Sequence, residues 1–148
     1  MTYKVKSASQ AELFSHLKNS DDCFDPPLST RVELLDYAKK IFDRSVTFEA
    51  WEKEILVGVI SAYFNDAENR LGYITHVGVL KSHRRRGIAA RLFSLCMEYA
   101  RERHFSMIEL EVSKKNERAV ALYQKAGFQV SARKNGSLVM RQELRQTA

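Results

Sequence analysis

Tyr73-Ile-Thr-His76-Val-Gly78-Val-Leu-Lys-Ser-His83-Arg84-Arg85-Arg86-Gly87-Ile-Ala89 runs from a β-type segment through a short basic turn into the start of a helical pattern. From Gly87 to Arg103, Ile88, Leu92, Leu95, Cys96 and Tyr99 fall along one helical stripe, with Arg91, Glu98, Arg101 and Glu102 largely away from it. The first N–H groups of a helix lack partners inside it, and that end of the axis is electropositive. Gly87 and Ala89 keep the wall low where such a helix begins, and Arg84, Arg85 and Arg86 bring positive charge, a combination that suits a phosphate. The plainer reading is that Gly87 permits a tight turn and the arginines face water. Neither G-x-x-x-x-G-K-[ST] nor G-x-G-x-x-G occurs, so the segment is not a nucleotide loop of those types.

Upstream, Tyr3 to Lys6 reads as an edge strand, and Ala11, Leu13, Phe14 and Leu17 as a short helix. Asn19 to Thr30, with Pro26 and Pro27, is a loop; Val32, Leu35, Ala38, Lys39 and Phe42 then mark a second helix with Ser29 or Thr30 as its N-cap. Strands follow at Ser45 to Trp51, Ile55 to Phe64 and Leu71 to Val79, separated by polar turns, and the apolar residues on both parities of the middle one predict two covered faces. Downstream come a strand at Met107 to Val112, a helix at Glu117 to Ala126, and strands at Phe128 to Arg133 and Ser137 to Arg141. Gly127 stands where a left-handed cap would close the last helix. The pattern predicts an α/β fold, a mixed sheet with helices on both faces, as one domain over residues 1–148.

The length of 148 residues fits one compact domain, and 45% apolar with 28% charged residues is the balance of a folded chain. The net charge of +6 favours polyanions without choosing among nucleic acid, phospholipid and a phosphorylated cofactor. Cys23 and Cys96 are not expected to pair, and no metal is expected. Without an N-terminal apolar run or a bilayer-length apolar stretch, a cytoplasmic location is expected, with no membrane partner.

Arg84-Arg-Arg-Gly87-Ile-Ala89 resembles the [QR]-x-x-G-x-[GA] motif of the GCN5-related N-acetyltransferase (GNAT) family, with Ala89 where a glycine often stands. Asn116-Glu-Arg-Ala-Val-Ala-Leu-Tyr123-Gln-Lys-Ala-Gly127-Phe128 is similar to its N-x-x-A-x-x-[LF]-Y-x-x-x-G-F signature, and the order of elements follows the family from Val46 almost to the end. The resemblance implies a mostly antiparallel central sheet with a splayed cofactor cleft between Leu71 to Val79 and Met107 to Val112. It implies that the backbone of Val77, Gly78 and Val79 pairs with the pantetheine arm of acetyl-coenzyme A. Arg84, Arg85, Arg86, Gly87, Ile88 and Ala89 would surround its pyrophosphate, and Asn116 would lie near the arm. Tyr123 matches the family tyrosine that protonates or stabilises the departing thiolate, although an aromatic packing role and, for Asn116, an N-cap role are the ordinary alternatives.

Glu109 and Glu111 share one side of a strand and are the candidate bases; Glu49, Tyr63, Thr75 and His76 are further polar candidates. The function implied is acetyl transfer from acetyl-coenzyme A to the primary amine of a small molecule. The alternatives are a protein or peptide amine, or a regulatory protein that binds acyl-coenzyme A without turnover. Asp21, Asp22 and Asp25 are placed to attract a cationic acceptor or to be solvated. A nucleic-acid platform is disfavoured because the arginines sit where the motif places pyrophosphate, and no aromatic alternation accompanies them. The resemblance allows a homodimer.

Overall fold

The computed structural model describes residues 1–21, 24 and 26–144. Asp22, Cys23 and Asp25 lie outside the described residues. The elements are β1 (Thr2–Val5), α1 (Gln10–Asn19), α2 (Leu34–Arg44), β2 (Val46–Glu52), β3 (Ile55–Asp66), β4 (Leu71–Val79), α3 (Ile88–Glu102), β5 (Met107–Ser113), α4 (Glu117–Lys125), β6 (Gln129–Lys134) and β7 (Ser137–Glu143). The seven strands among the described residues follow the order β1-β2-β3-β4-β5-β7-β6. β4 and β5 are parallel, while β1–β2, β2–β3, β5–β7 and β6–β7 are antiparallel. This is the mixed α/β sheet that the periodicities predict, mostly antiparallel as the resemblance implies.

The chain packs as two compact units, Met1–Ala62 with His76–Cys96 and Tyr63–Thr75 with Met97–Ala148. In the first, Leu13 and Leu17 of α1 and Ala38 and Ile41 of α2 are buried with Trp51, Leu56 and Val59. Neighbouring strand residues point to opposite faces. A Cβ on Gly58, next to Val59, would stand 3.0 Å from Ile88 and 3.2 Å from Leu92, so α3 covers the face of β3 opposite α1 and α2. That accounts for the two apolar parities of this strand.

Three local expectations need correction. The cap of α2 is Glu33, whose carboxylate accepts from the N–H groups of Leu35 (3.2 Å) and Asp36 (2.7 Å). Ser29 and Thr30 lie in a 3-10 turn, where Ser29 donates from N–H and hydroxyl to Asp21, at 2.7 and 2.5 Å. Asp21 is thereby committed to its own loop. On α3 the buried side chains include Phe93, Met97 and Ala100 with Ile88, Leu92 and Cys96, whereas Leu95 and Tyr99 are only half-buried.

Glu49 is the third. It is fully buried, and its carboxylate accepts from the N–H groups of Ser7 (2.9 Å) and Ala8 (3.0 Å), the Thr47 hydroxyl and the Trp51 indole (3.1 Å). With this set of donors it stitches the segment after β1 to β2, and it is not a surface base. A buried charge persists only when donors replace its water.

In the second unit, Phe64 of β3 packs against Tyr99 and Phe105, with ring centroids 5.0 and 5.1 Å apart. The β4–β5 ladder holds Leu71↔Met107, Gly72↔Ile108 and Tyr73↔Glu109 and stops there, although both strands continue. The termination falls within the two strands between which the resemblance implies an opening. Gly127 takes φ of +105°, as the left-handed cap requires.

Candidate active site

In the first unit the chain leaves β4 at Val79, makes a 3-10 turn over Lys81–His83 and enters α3 at Ile88. Between turn and helix, Arg85 has φ of +64° and Gly87 of +76°. Alternation of left-handed residues turns successive N–H groups toward one side and makes an anion-binding concavity. The Gly87 carbonyl accepts from Arg91 N–H at 3.1 Å, so the N–H groups of Ile88, Ala89 and Ala90 precede the helical ladder. A Cβ on Gly87 would meet nothing within 4 Å, so its backbone faces open space. Arg84 Nε is buried and has no hydrogen-bond partner among the described residues. An unpaired buried guanidinium N–H is costly, and an anion would relieve it. The loop therefore fits a pyrophosphate.

Val77 and Val79 are half-buried, and Gly78 between them is buried. A Cβ on Gly78 would stand 2.9 Å from His76 Nε2 and 3.1 Å from His16 Nε2. The missing side chain thus makes room for two imidazoles, a reason for glycine that the motif reading did not contain. His16 joins its Nδ1 to the Leu56 carbonyl at 2.9 Å, and Phe24 and Tyr37 pack around His76, with centroids 5.5 and 5.9 Å away. Burial lowers His16 to about 4, against a smaller opposing effect of the Leu56 carbonyl. Burial, and next the neighbouring His16, lower His76 to about 3.

The second unit carries the acid–base candidates. Glu109 Oε2 accepts from Arg141 Nε at 2.6 Å, and Glu111 Oε1 lies 3.0 Å from Lys134 Nζ. Tyr73 is the register partner of Glu109, and its phenol is raised above its ordinary value by burial and then by Glu111 and Glu109. Sequence reasoning missed Tyr73, because its place opposite Glu109 is set by the β4–β5 register. Asn116 caps α4, its Oδ1 accepting from Ala119 N–H at 3.1 Å, so the capping role is present. Tyr123 of α4 is half-buried beside Phe128, and burial, partly offset by Arg118, pushes its phenol up to about 12.

The family model for the acetyltransferase (GNAT) family matches residues 12–128. The chain belongs to that family. A GNAT protein from Arabidopsis thaliana, GCN5-related N-acetyltransferase 6, chloroplastic, is 32% identical over 99 residues, covering 67% of this chain and 34% of that protein. The chain thus spans about a third of that relative's length. The ribosomal-protein-S18-alanine N-acetyltransferase of Escherichia coli matches with a TM-score of 0.77 at 14% identity, over 99% of this chain and 97% of that one. The PaiA N-acetyltransferase of Thermoplasma acidophilum, solved with coenzyme A, matches at 0.76 and 11% identity, over 97% and 99%. These structures share the GNAT fold.

Within this GNAT frame, Arg84 to Ala89 belong to the first unit, and Glu109, Glu111, Asn116 and Tyr123 to the second. Among the described residues no cluster of three or more His, Cys, Asp or Glu side chains could hold a metal, and no helix is long and apolar enough to cross a membrane.

The buried histidines set a pH dependence. Both are lowered in the folded chain, so between roughly pH 6.5 and 4 the unfolded chain binds more protons, and stability rises with pH across that window. The melting temperature is expected to fall steadily from pH 7 to pH 5, a range in which ordinary carboxylates barely titrate. His76→Gln should flatten that slope. A wild-type melting temperature independent of pH over this interval would contradict neutral burial of the pair.

Proposed function

We propose that this chain is an acetyl-coenzyme A-dependent N-acetyltransferase and that its acceptor is an amine of a protein or peptide. The observation that carries the donor assignment is the loop at Arg84 to Ala89, with its two left-handed residues and the orphaned Arg84 Nε, in a chain of the GNAT family. On this reading the loop holds the pyrophosphate and Val77 to Val79 lie along the pantetheine arm. The amine lone pair attacks the thioester carbonyl carbon, the C–N bond forms as C–S breaks, the surplus proton on the new amide nitrogen leaves to solvent, and the departing thiolate, held by a hydrogen bond from Tyr123, is protonated from solvent.

The acceptor class departs from the small amine expected from the sequence. Support comes from the exposure of the acid–base group: the Glu111 and Lys134 side chains are 38% and 62% exposed, a surface open to an extended chain more than an enclosing pocket. A protein acceptor is also what the name of the E. coli fold relative states for that protein. A small amine remains the second reading.

The deciding experiment is thiol release from acetyl-coenzyme A against peptides with free N-termini, lysine peptides, amino sugars, polyamines and aminoglycosides, with a no-acceptor blank. Release with the peptides is expected. Release confined to a small amine would return the acceptor to the second reading. No release, with coenzyme A shown to bind, would favour a binding protein.

A further inference from the structure

Glu109 and Glu111 sit two residues apart on β5, and sequence alone gives no reason to prefer either. Their counterions differ in kind. Glu109 and Arg141 are register partners on β5 and β7, so that pair is built into the ladder at 2.6 Å. The register partner of Glu111 is Val139, and its cation comes from elsewhere: Lys134 is on β6, beyond β7 in the strand order, opposite Ser137. Its ammonium reaches over the intervening strand to stand 3.0 Å from Glu111, on a side chain 62% exposed. A long, exposed lysine held by one carboxylate gives up most of what it gains to side-chain entropy and water.

The surroundings of Glu111 are those of an amine site. Tyr73, opposite Glu109 in the ladder, lies within electrostatic reach of Glu111, and the Tyr63 hydroxyl, within electrostatic reach of Tyr73, is buried with no hydrogen-bond partner among the described residues. The β4–β5 ladder has ended one residue before Leu110, leaving β5 unpaired with β4 at Glu111.

We infer that Glu111, not Glu109, receives the ammonium of the acceptor, and that Lys134 is a tethered cation occupying this place until the acceptor displaces it. Lys134 is then a specificity-determining residue, raising the KM of cationic amines by competing for Glu111. The inference rests on the acetyltransferase reading and extends it to the acceptor. The carboxylate holds the protonated amine, which must lose its proton to solvent before its lone pair attacks.

The test is steady-state acetylation of a short peptide carrying a free N-terminal amine and one internal lysine, with wild type, Lys134→Ala, Lys134→Arg, Glu111→Gln and Glu109→Gln. Lys134→Ala should lower the peptide KM about two- to fivefold, the range that an exposed ion pair is worth, with the dissociation constant for acetyl-coenzyme A unchanged. Lys134→Arg should keep the wild-type KM. The gain should vanish in the Glu111→Gln background and survive in Glu109→Gln. An unchanged KM in Lys134→Ala, or a gain that persists without Glu111, overturns the inference while leaving acetyl transfer standing. A wild type that turns over neither this peptide nor any other amine removes both. As a readout independent of turnover, the 13C signal of methylated Lys134 should titrate at lower pH in Glu111→Gln than in wild type; an identical titration would show that the pair does not form and would also overturn the inference.

Discussion

Tyr123→Phe is expected to reduce kcat by about a hundredfold or more, the lower end of what a positioned proton donor contributes, while the dissociation constant for acetyl-coenzyme A changes by no more than about twofold. The ring keeps its packing beside Phe128, and only the hydroxyl is lost. With its phenol pushed up to about 12, that hydroxyl carries its proton at neutral pH. It is also a weaker acid than an ordinary thiol, which favours hydrogen bonding to the developing thiolate over complete proton transfer. The check is pre-steady-state and steady-state thiol release alongside calorimetric binding of acetyl-coenzyme A. Full turnover by the phenylalanine variant from pH 6 to pH 9 would leave Tyr123 as a packing residue only.

Gly87→Leu should weaken acetyl-coenzyme A binding by about tenfold or more. Two effects combine. At φ of +76° a branched side chain strains the backbone by about 1–2 kcal/mol, and relaxing that strain would unmake the concavity that Arg85 and Gly87 form together. A Cβ there meets no protein atom, so the new side chain enters the space assigned to the phosphates. Because the same substitution loses stability, S-acetyl-pantetheine, which lacks the pyrophosphate, serves as the control donor. Its kcat/KM should change much less than that of acetyl-coenzyme A. Equal losses with both donors, or an unchanged affinity for acetyl-coenzyme A, would remove the phosphate assignment from this loop.

The two predictions probe different kinds of legibility. The entry to α3 at Gly87 was readable because a glycine at a helix start, with small and basic neighbours, leaves a local signature. The left-handed turn at Gly127 and the two covered faces of β3 were readable for the same reason, since each follows from neighbours in sequence. Where one short-range signal competed with another, reading was poorer. Ser29 and Thr30 offered hydroxyls for the cap of α2, but Glu33 took the position and Ser29 turned to Asp21 instead.

Long-range contacts settled the rest. Glu49 looked like a strand carboxylate available for chemistry until the segment after β1 folded over it and brought two backbone donors from more than forty residues away. His76 looked like polar lining until α1 and α2 closed around it and His16 met it over Gly78. Glu109 and Glu111, equivalent by alternation, were distinguished only when β7 inserted between β5 and β6 and gave one a register partner and the other a borrowed lysine. Sequence by itself determined the order of elements, the family and the glycine-marked entry to α3, because helix and strand periods and the geometry at a helix start are local properties. Tertiary structure alone decided which carboxylates and imidazoles are sealed in the interior and which are paired at the surface, because burial and counterions depend on strands and helices that meet from distant parts of the chain.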